Sequence, residues 1–318
     1  MCLRTGLPSW LQARVRTMTT QPLAQTNGAR APYQLKPFKV WGAEVYGIDL
    51  KQPVSEQVVE RIKRDVTKYR VVVFRDQGVV SGQRQVEISQ WFGPLESTFY
   101  KHARSPHPDV FRVSNVDTEG CTGVGRTGWH IDGSFQEAPF SHSTYHIVSV
   151  PLEGATVFAP LREVIKSLPE DKRQRWERLY MSSDRRSKTT HPIIYSHPQT
   201  GDKTMCFHTG MTAALGWDLD TPAERIATYQ ETEQLLQEIE DTFQHDIDHL
   251  KYRHQWREGD FIISDNLAVG HEASPDTQRP VSEVGLRVMH RTTIAGNAKP
   301  CKDYATAVSA PASLAKAH

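Results

Sequence analysis

Hydrophobic positions in the first third of the chain switch between helical and extended spacing. In residues 55–69 the apolar side chains recur every third or fourth position, and Ser55 stands where a helix N-cap belongs, so an amphipathic helix is predicted. The run RVVVFRD at 70–76 is apolar through its centre, which is typical of a buried strand. Residues 81–93 return to helical spacing and end at Gly93, a residue suited to ending a helix.

The second half of the chain combines short strands with one long helical pattern. Apolar runs predict strands at 142–150, 260–266 and 285–294. Residues 221–250 predict a helix whose first letters, TPAE, fit a capping box with proline in the first turn. The apolar stripe expected along that helix comprises Ile226, Tyr229, Leu236, Ile239, Phe243, Ile247 and Leu250.

This order of elements indicates the fold class. Helices come early and late, and short strands with long connections lie between them, which favours an antiparallel β core flanked by helices over regular βαβ alternation. The prediction is therefore an α+β, mainly β protein. No linker, repeat or low-complexity segment interrupts residues 33–300, so a single domain is expected there, with a disordered tail at 301–318.

Composition narrows the class of partner. The chain has 318 residues, a formal net charge of +1 and 24% charged residues, which gives no reason to expect nucleic acid. No apolar run approaches the roughly 20 residues that span a bilayer, so no membrane partner is expected either. Four cysteines without a CxxC pair indicate reduced thiols of an intracellular protein. We expect a small-molecule partner, and the sequence leaves open whether the chain forms a homo-oligomer.

The N-terminal segment has a composition of its own. Six basic residues and no acidic one precede Glu44, and Ser and Thr are frequent. Residues 1–32 are therefore either a transit peptide or a disordered tail, and the second alternative allows translation to start at Met18. The first alternative implies a mitochondrial or plastid protein, and the second a cytoplasmic one.

Two HxD pairs are candidates for a metal site. With 14 His and 18 Asp in the chain, about one such pair is expected by chance. His107 and Asp109 lie in a proline-rich polar stretch and are interpreted as the chance pair on a surface loop. His130 and Asp132 lie between aromatic residues after a glycine-rich loop. On an extended chain, residues two apart point to the same face, which is what two ligands of one metal require.

A third ligand and two arginines complete the candidate site. His271 follows the strand at 260–266, and two histidines with one carboxylate form the facial triad of non-haem iron oxygenases. In the strand at 285–294, Arg287 and Arg291 share one face, and buried cations need anions. The alternative is that both arginines lie on the surface of an edge strand while Leu286 and Val288 face inward.

These residues resemble a known family. The segments GWHID, GATVF, DNLAVGH and LRVMHRTTIAG, in this order, resemble the taurine/α-ketoglutarate dioxygenase family, and VFRDQGVVSGQRQVEISQWFGPL resembles its N-terminal strand–helix segment. The resemblance covers roughly residues 33–299. It implies a double-stranded β-helix (jelly-roll) core and an enzyme that uses Fe(II), 2-oxoglutarate and O2 to hydroxylate an aliphatic C–H bond, with release of succinate and CO2.

The resemblance also implies roles for individual residues. His130, Asp132 and His271 would bind and activate the metal as the catalytic triad. Arg287 would bind the distal carboxylate of 2-oxoglutarate in a bidentate pair, with Thr156 donating to the same carboxylate. Arg291 would face the substrate. Because no acidic residue adjoins Arg291 in sequence, its anion is either a distant protein carboxylate or an anionic substrate, and we favour the substrate.

The substrate side departs from taurine-specific members. Tyr100, Lys101 and His102 are the candidates for substrate contacts, and residues 161–192 are expected to form a lid over the site. Taurine is not indicated, although a small sulfonate, sulfate or carboxylate fits Arg291. Two other classes stay open: a zinc-dependent hydrolase or lyase with the same ligands, and a non-catalytic β-barrel binding protein.

Overall fold

A seven-stranded, largely antiparallel sheet forms the larger half of the fold. The computed structural model describes residues 31–96, 101–125, 128–185 and 187–302. The strands are β1 Gln34–Pro37, β2 Ala43–Tyr46, β3 Val71–Phe74, β4 Phe111–Ser114, β5 His142–Ser149, β6 Thr156–Pro160, β7 Leu179–Ser183, β8 Thr190–Pro192, β9 Ile194–Ser196, β10 Lys203–Met205, β11 Thr212–Trp217, β12 Arg225–Ile226, β13 Tyr252–His254, β14 Phe261–Asp265, β15 Val269–Ala273 and β16 Val288–Ile294. The α-helices are α1 Glu56–Tyr69, α2 Gly82–Gln90, α3 Leu161–Ser167, α4 Glu170–Arg178, α5 Tyr229–Asp241 and α6 Val281–Val284.

The sheets pack around a shared apolar core. The large sheet has the order β1-β2-β3-β14-β5-β16-β4, in which only β2 and β3 pair in parallel. Smaller sheets have the orders β13-β6-β15, β12-β11-β7-β8 and β10-β9. Side chains of β3, β5, β14 and β16 meet those of β6 and β15 in one buried cluster. This arrangement of two sheets over a common core confirms the predicted antiparallel β core flanked by helices.

Most predicted elements are present. Helix α1 follows Ser55 at the N-cap position, and Ile62 and Val66 face the core as the spacing requires. All four residues of β3 are buried, which explains its unbroken apolar run. The strands expected at 142–150, 260–266 and 285–294 correspond to β5, β14 and β16.

The long helix predicted at 221–250 is wrong at its start. Residues 218–224 form turns, and Asp218 and Asp220 have positive φ angles. Strand β12 then pairs with β11, because the backbone of this segment completes the edge of that sheet. Helix α5 begins after Thr228, whose hydroxyl accepts the Glu231 N–H. Of the predicted stripe, Ile226 and Tyr229 are therefore exposed, whereas Ile239, Phe243 and Ile247 are buried.

The lid predicted at 161–192 is also wrong. The segment folds as α3, α4, β7 and β8, and it contributes Leu161, Val164, Trp176 and Leu179 to a large buried cluster. Side chains that are fully buried in a core cannot open and close over a site without unfolding part of it. Within the described residues, Arg185 alone from this segment lines the candidate cavity.

The predicted tails lie almost entirely outside the described residues. Residues 1–30 and 303–318 are not described, so the transit-peptide and tail predictions remain predictions. A compact unit begins at Pro32, one residue from the predicted domain start. Among the described helices, none combines the length and the apolar character needed to cross a membrane.

Candidate active site

The predicted metal ligands converge. His130 and His271 form an isolated antiparallel bridge in which each backbone N–H donates to the other's carbonyl, at 3.1 and 2.9 Å. Asp132 follows two residues later on the same face. One ligand atom from each of the three residues lies within 4.8 Å of the other two, and all three residues are at least 94% buried. The structure therefore brings together residues 139 positions apart in sequence at a single point.

Both histidine ligands are suited to binding a metal in the neutral form. The Nδ1 atom of His130 lies 2.7 Å from the Gly128 carbonyl, which leaves Nε2 to act as ligand. Burial lowers the pKa of His130, and burial followed by the charge of His130 lowers the pKa of His271 to about 3. Gly128 has a φ of 85°, and a Cβ there would collide with the Thr209 hydroxyl, so the carbonyl that orients His130 depends on glycine.

Asp132 is held as a carboxylate by three donors. Arg291 Nη1 lies 2.6 Å from Oδ1, while the hydroxyls of Ser143 and Tyr145 donate to Oδ2 at 3.0 and 3.1 Å. Burial alone would raise the pKa of Asp132, but Arg291, followed by His271 and His130, outweighs it and holds the pKa below its usual range. The site thus presents two neutral imidazoles and an ionised carboxylate, the ligand set of a non-haem iron triad.

A side-chain amide fixes the backbone on which Asp132 stands. Asn266 Oδ1 accepts the Asp132 N–H at 2.9 Å, and its Nδ2 donates to the carbonyls of Asp132 and Phe140 at 2.8 and 2.6 Å. Asn266 directly follows β14, so the large sheet determines where this clamp lies. The clamp restricts rotation of the peptide units on both sides of the ligand.

Arg287 is a buried cation with no acidic partner among the described residues. Its side chain is 97% buried, its Nε lacks a hydrogen-bond partner and its Nη2 contacts only the Met289 sulfur at 3.7 Å. Burial lowers the pKa of Arg287 to about 10. Since an isolated buried guanidinium is costly, this side chain fits a carboxylate-bearing ligand in the cavity.

Thr156 lines the same cavity with an oriented hydroxyl. Trp256 Nε1 donates to Thr156 Oγ1 at 3.2 Å. Because the hydroxyl oxygen already accepts this bond, its proton is available for an acceptor within the cavity. Thr156 and Arg287 therefore place two hydrogen-bond donors on the wall of the same cavity.

Arg291 has a protein partner. Arg291 and Met289 of β16 line the cavity together with Arg287, which directly precedes that strand, so the alternative of two surface arginines is excluded. The anion that the sequence left undecided is the carboxylate of Asp132, 159 positions away. An anionic substrate is consequently not needed to neutralise Arg291.

The other predicted substrate residues lie elsewhere. Lys101 donates from Nζ to the Pro108 carbonyl at 2.5 Å, and the His102 ring contacts the Asp117 carbonyl at 2.9 Å. Neither lines the cavity, and Tyr100 lies outside the described residues. The second HxD pair, His107 and Asp109, is likewise absent from the cavity wall among the residues the structure describes.

Sequence reasoning missed several residues around the triad. The cavity has a volume of about 250 Å³, and His208 lines it with its ring stacked on His130, 4.5 Å between centroids. Ser143 and Tyr145, which bind Asp132, were detectable, since period-2 spacing on the predicted strand puts both on one face. His208 and Arg185 lie on segments without a strong pattern, and no sequence signal distinguished them.

Comparisons with known proteins agree with this geometry. A family model described as "Taurine catabolism dioxygenase TauD, TfdA family" matches residues 31–293. The α-ketoglutarate-dependent 2,4-dichlorophenoxyacetate dioxygenase of Cupriavidus pinatubonensis is 27% identical over 266 residues, covering 73% of this chain and 88% of that protein. The α-ketoglutarate-dependent sulfate ester dioxygenase of Pseudomonas putida is 25% identical over 284 residues, covering 80% and 86%.

A solved structure shows the same fold. The crystal structure titled as a putative α-ketoglutarate-dependent taurine dioxygenase from Burkholderia xenovorans superposes with a TM-score of 0.69 at 24% identity, covering 84% of this chain and 94% of that one. The jelly-roll architecture is thereby confirmed. Together, the family match over most of the chain and the buried His/Asp/His site show that the chain belongs to the TauD/TfdA family, whose enzymes are dioxygenases dependent on Fe(II), 2-oxoglutarate and O2.

Proposed function

We propose that this enzyme hydroxylates an aliphatic C–H bond of a small anionic molecule, such as a carboxylate, sulfonate or sulfate, with release of succinate and CO2. The observation that most supports a 2-oxoglutarate-dependent reaction is Arg287, a buried cation beside the triad without an acidic partner in the described chain. The named relatives that act on phenoxyacetates and sulfate esters support an anionic substrate class.

The triad residues are proposed to hold iron and keep it in one orientation. His130 and His271 would each offer a neutral ring nitrogen, and Asp132 a carboxylate oxygen. Arg291 and Ser143 stay bound to Asp132 and restrict its rotation, so the carboxylate keeps one direction towards the metal. When bound, iron, 2-oxoglutarate and O2 supply the oxidising chemistry, which converts the co-substrate to succinate and CO2 and inserts one oxygen atom into the substrate.

Arg287 and Thr156 are proposed to hold the far carboxylate of 2-oxoglutarate. The guanidinium fork matches a carboxylate in two parallel hydrogen bonds, and the Thr156 hydroxyl, oriented by Trp256, adds a third donor. These contacts would fix the length and direction of the co-substrate inside the cavity. A zinc hydrolase or lyase gives Arg287 no comparable anion, and a non-catalytic binding barrel gives no reason for a complete His/Asp/His triad.

The test is an anaerobic titration of the full chain with Fe(II) and 2-oxoglutarate, followed by a substrate screen under air. The wild type should develop the weak visible charge-transfer band of the iron–2-oxoglutarate complex and form succinate above the uncoupled background. Asp132→Ala should lose both signals, whereas Asp109→Ala, in the second HxD pair, should keep turnover within a few-fold. A wild type without the band, or equal loss in Asp109→Ala, would contradict the proposal.

A further inference from the structure

A single peptide unit connects helix α5 to His130. The carbonyl of Gly128 lies 2.7 Å from Nδ1 of His130, so it accepts the Nδ1–H and leaves Nε2 for the metal. The N–H at the other end of that peptide bond belongs to Trp129, and it donates to Oε2 of Glu240 at 3.4 Å. Because a peptide unit is planar and rigid, a group that holds its N–H also sets the direction of its carbonyl.

The Glu240 carboxylate is itself held at both oxygens. The hydroxyl of Thr209 donates to Oε2 at 2.9 Å, and Nε2 of Gln244 donates to Oε1 at 3.1 Å. The Thr209 N–H also donates to the Trp129 carbonyl at 3.1 Å, so the hydroxyl comes from a segment that is bonded to the same stretch of backbone. A Cβ added at Gly128 would lie 3.0 Å from Oε2 of Glu240, which shows how closely the carboxylate packs against this peptide. These contacts restrict rotation of the carboxylate.

Gln244 extends the connection to the second histidine. It lies in the π-helical turn Thr242–Asp246 that follows α5. Its Nε2 also donates to the Glu272 carboxylate at 3.0 Å, and Glu272 directly follows His271 in β15. One side-chain amide therefore bridges the carboxylate of Glu240 and the residue next to the second histidine of the triad. Short π-helical turns of this kind occur frequently at functional sites.

We propose that Glu240 is a positioning residue for the metal centre, which acts on His130 through the Gly128–Trp129 peptide; this inference rests on the proposed function. The carboxylate at the N–H end keeps the carbonyl directed at Nδ1 of His130. It also makes that carbonyl a stronger acceptor, since the hydrogen bonds of a chain polarise one another. Both effects favour the Nδ1–H tautomer and make Nε2 a better metal ligand. Glu240 does not line the cavity, so it acts without touching the substrate.

The experiment measures how tightly the metal-free full chain binds Co(II), a substitute for Fe(II) whose visible absorption reports its ligands. Glu240→Gln preserves the size of the side chain but places an NH2 donor against either the Trp129 N–H or the Gln244 amide, so one of the two contacts is lost. The dissociation constant should rise roughly tenfold to a hundredfold, the usual effect of removing a partner behind a metal-binding histidine. Urea unfolding of the metal-free variant reports any purely structural effect.

A matched control lies on the same helix. Gln237 donates from Nε2 to Oδ1 of Asp241 at 2.8 Å on the exposed face of α5, which repeats the amide–carboxylate spacing of Glu240 and Gln244. Asp241→Asn should therefore bind Co(II) as tightly as the wild type does. A second variant, Thr209→Val, leaves Glu240 in place but removes the hydroxyl that holds its Oε2, and it should weaken Co(II) binding in the same direction by a smaller factor.

The outcomes separate this inference from the proposed function. If the wild type binds Co(II) and Glu240→Gln keeps the same affinity, the assignment of Glu240 is overturned alone. A variant that loses only free energy of unfolding has the same consequence, because Glu240 is then a structural anchor of α5. If Glu240→Gln does not fold, Thr209→Val decides by the same criterion. A wild type that binds no Co(II), or binds it no more tightly than His130→Ala does, overturns the proposed function and this assignment together.

Discussion

At the scale of single residues, charge placement organises the site. Asp132 receives three donors and Arg287 receives no carboxylate from the described chain, although both are buried within the same cavity. Asp132 therefore stays ionised without a bound ligand, whereas Arg287 gains an anionic partner only when a ligand binds. This difference is what the two proposed roles require, namely a metal ligand at Asp132 and a carboxylate-binding cation at Arg287.

Removal of the Arg287 guanidinium should therefore weaken the binding of 2-oxoglutarate. Arg287→Ala should raise the 2-oxoglutarate requirement roughly a hundredfold or more, because losing one partner of a buried charged pair costs on the order of 3–5 kcal/mol. Arg287→Lys should recover only part, because lysine cannot make the bidentate contact. The measurement is succinate formation at varied 2-oxoglutarate. An unchanged 2-oxoglutarate dependence in Arg287→Ala would assign the carboxylate to another residue.

The sequence predicted the triad because its signals are local or typical of a family. His130 and Asp132 are two residues apart on an extended segment, and His271 follows a strongly apolar strand. The pairing of Arg291 with Asp132 has no such signal, since the residues are 159 positions apart and meet only when β16 packs beside β5. Ion pairs between distant strands depend on register, which spacing along a single segment does not contain.

At the scale of elements, two competing caps decide where α5 begins. Thr221 and Thr228 are each followed three residues later by a glutamate, so the capping-box pattern in the sequence fits either threonine as the N-cap. The residues after Thr221 form turns instead of a helix, because the backbone of 225–226 pairs with the edge of β11. Boundaries of this kind depend on tertiary pairing, whereas α1 and β3 follow from local spacing alone.

The true cap can be tested by a pair of substitutions. Thr228→Ala should lower the free energy of unfolding by about 1 kcal/mol, the usual loss when an N-cap hydroxyl is removed. Thr221→Ala removes only hydrogen bonds of an exposed turn and should change it by no more than about 0.5 kcal/mol. Urea unfolding of both variants gives the comparison, and the opposite order would place the helix start at Thr221.

At the scale of the whole molecule, buried histidines make the fold sensitive to acid. Burial is the largest cause of a lowered pKa at eight of the thirteen histidines within the described residues, namely His130, His142, His146, His191, His208, His254, His271 and His290. A lowered pKa in the folded state means that unfolding takes up protons. Stability is then full above about pH 6.5, the value for an unfolded histidine, and declines as the pH falls.

His290 offers the cleanest single test of this behaviour. Its Nε2 lies 2.8 Å from Arg112 Nη1, and burial, followed by the charge of Arg112, lowers its pKa to about 3. At pH 5 the proton taken up on unfolding should cost the fold about 2 kcal/mol relative to pH 7, since each pH unit below about 6.5 contributes about 1.4 kcal/mol.

His290→Asn should therefore lose less stability between pH 7 and pH 5 than the wild type, by about 2 kcal/mol, even if it is less stable at pH 7. The measurement is urea unfolding of the metal-free protein at both pH values, so that proton competition with a bound metal does not contribute. His249, which is exposed, provides the control, and His249→Asn should keep the wild-type difference. A pH dependence in His290→Asn equal to that of the wild type would show that His290 does not take up the proton, and the acid sensitivity would then belong to the remaining buried histidines.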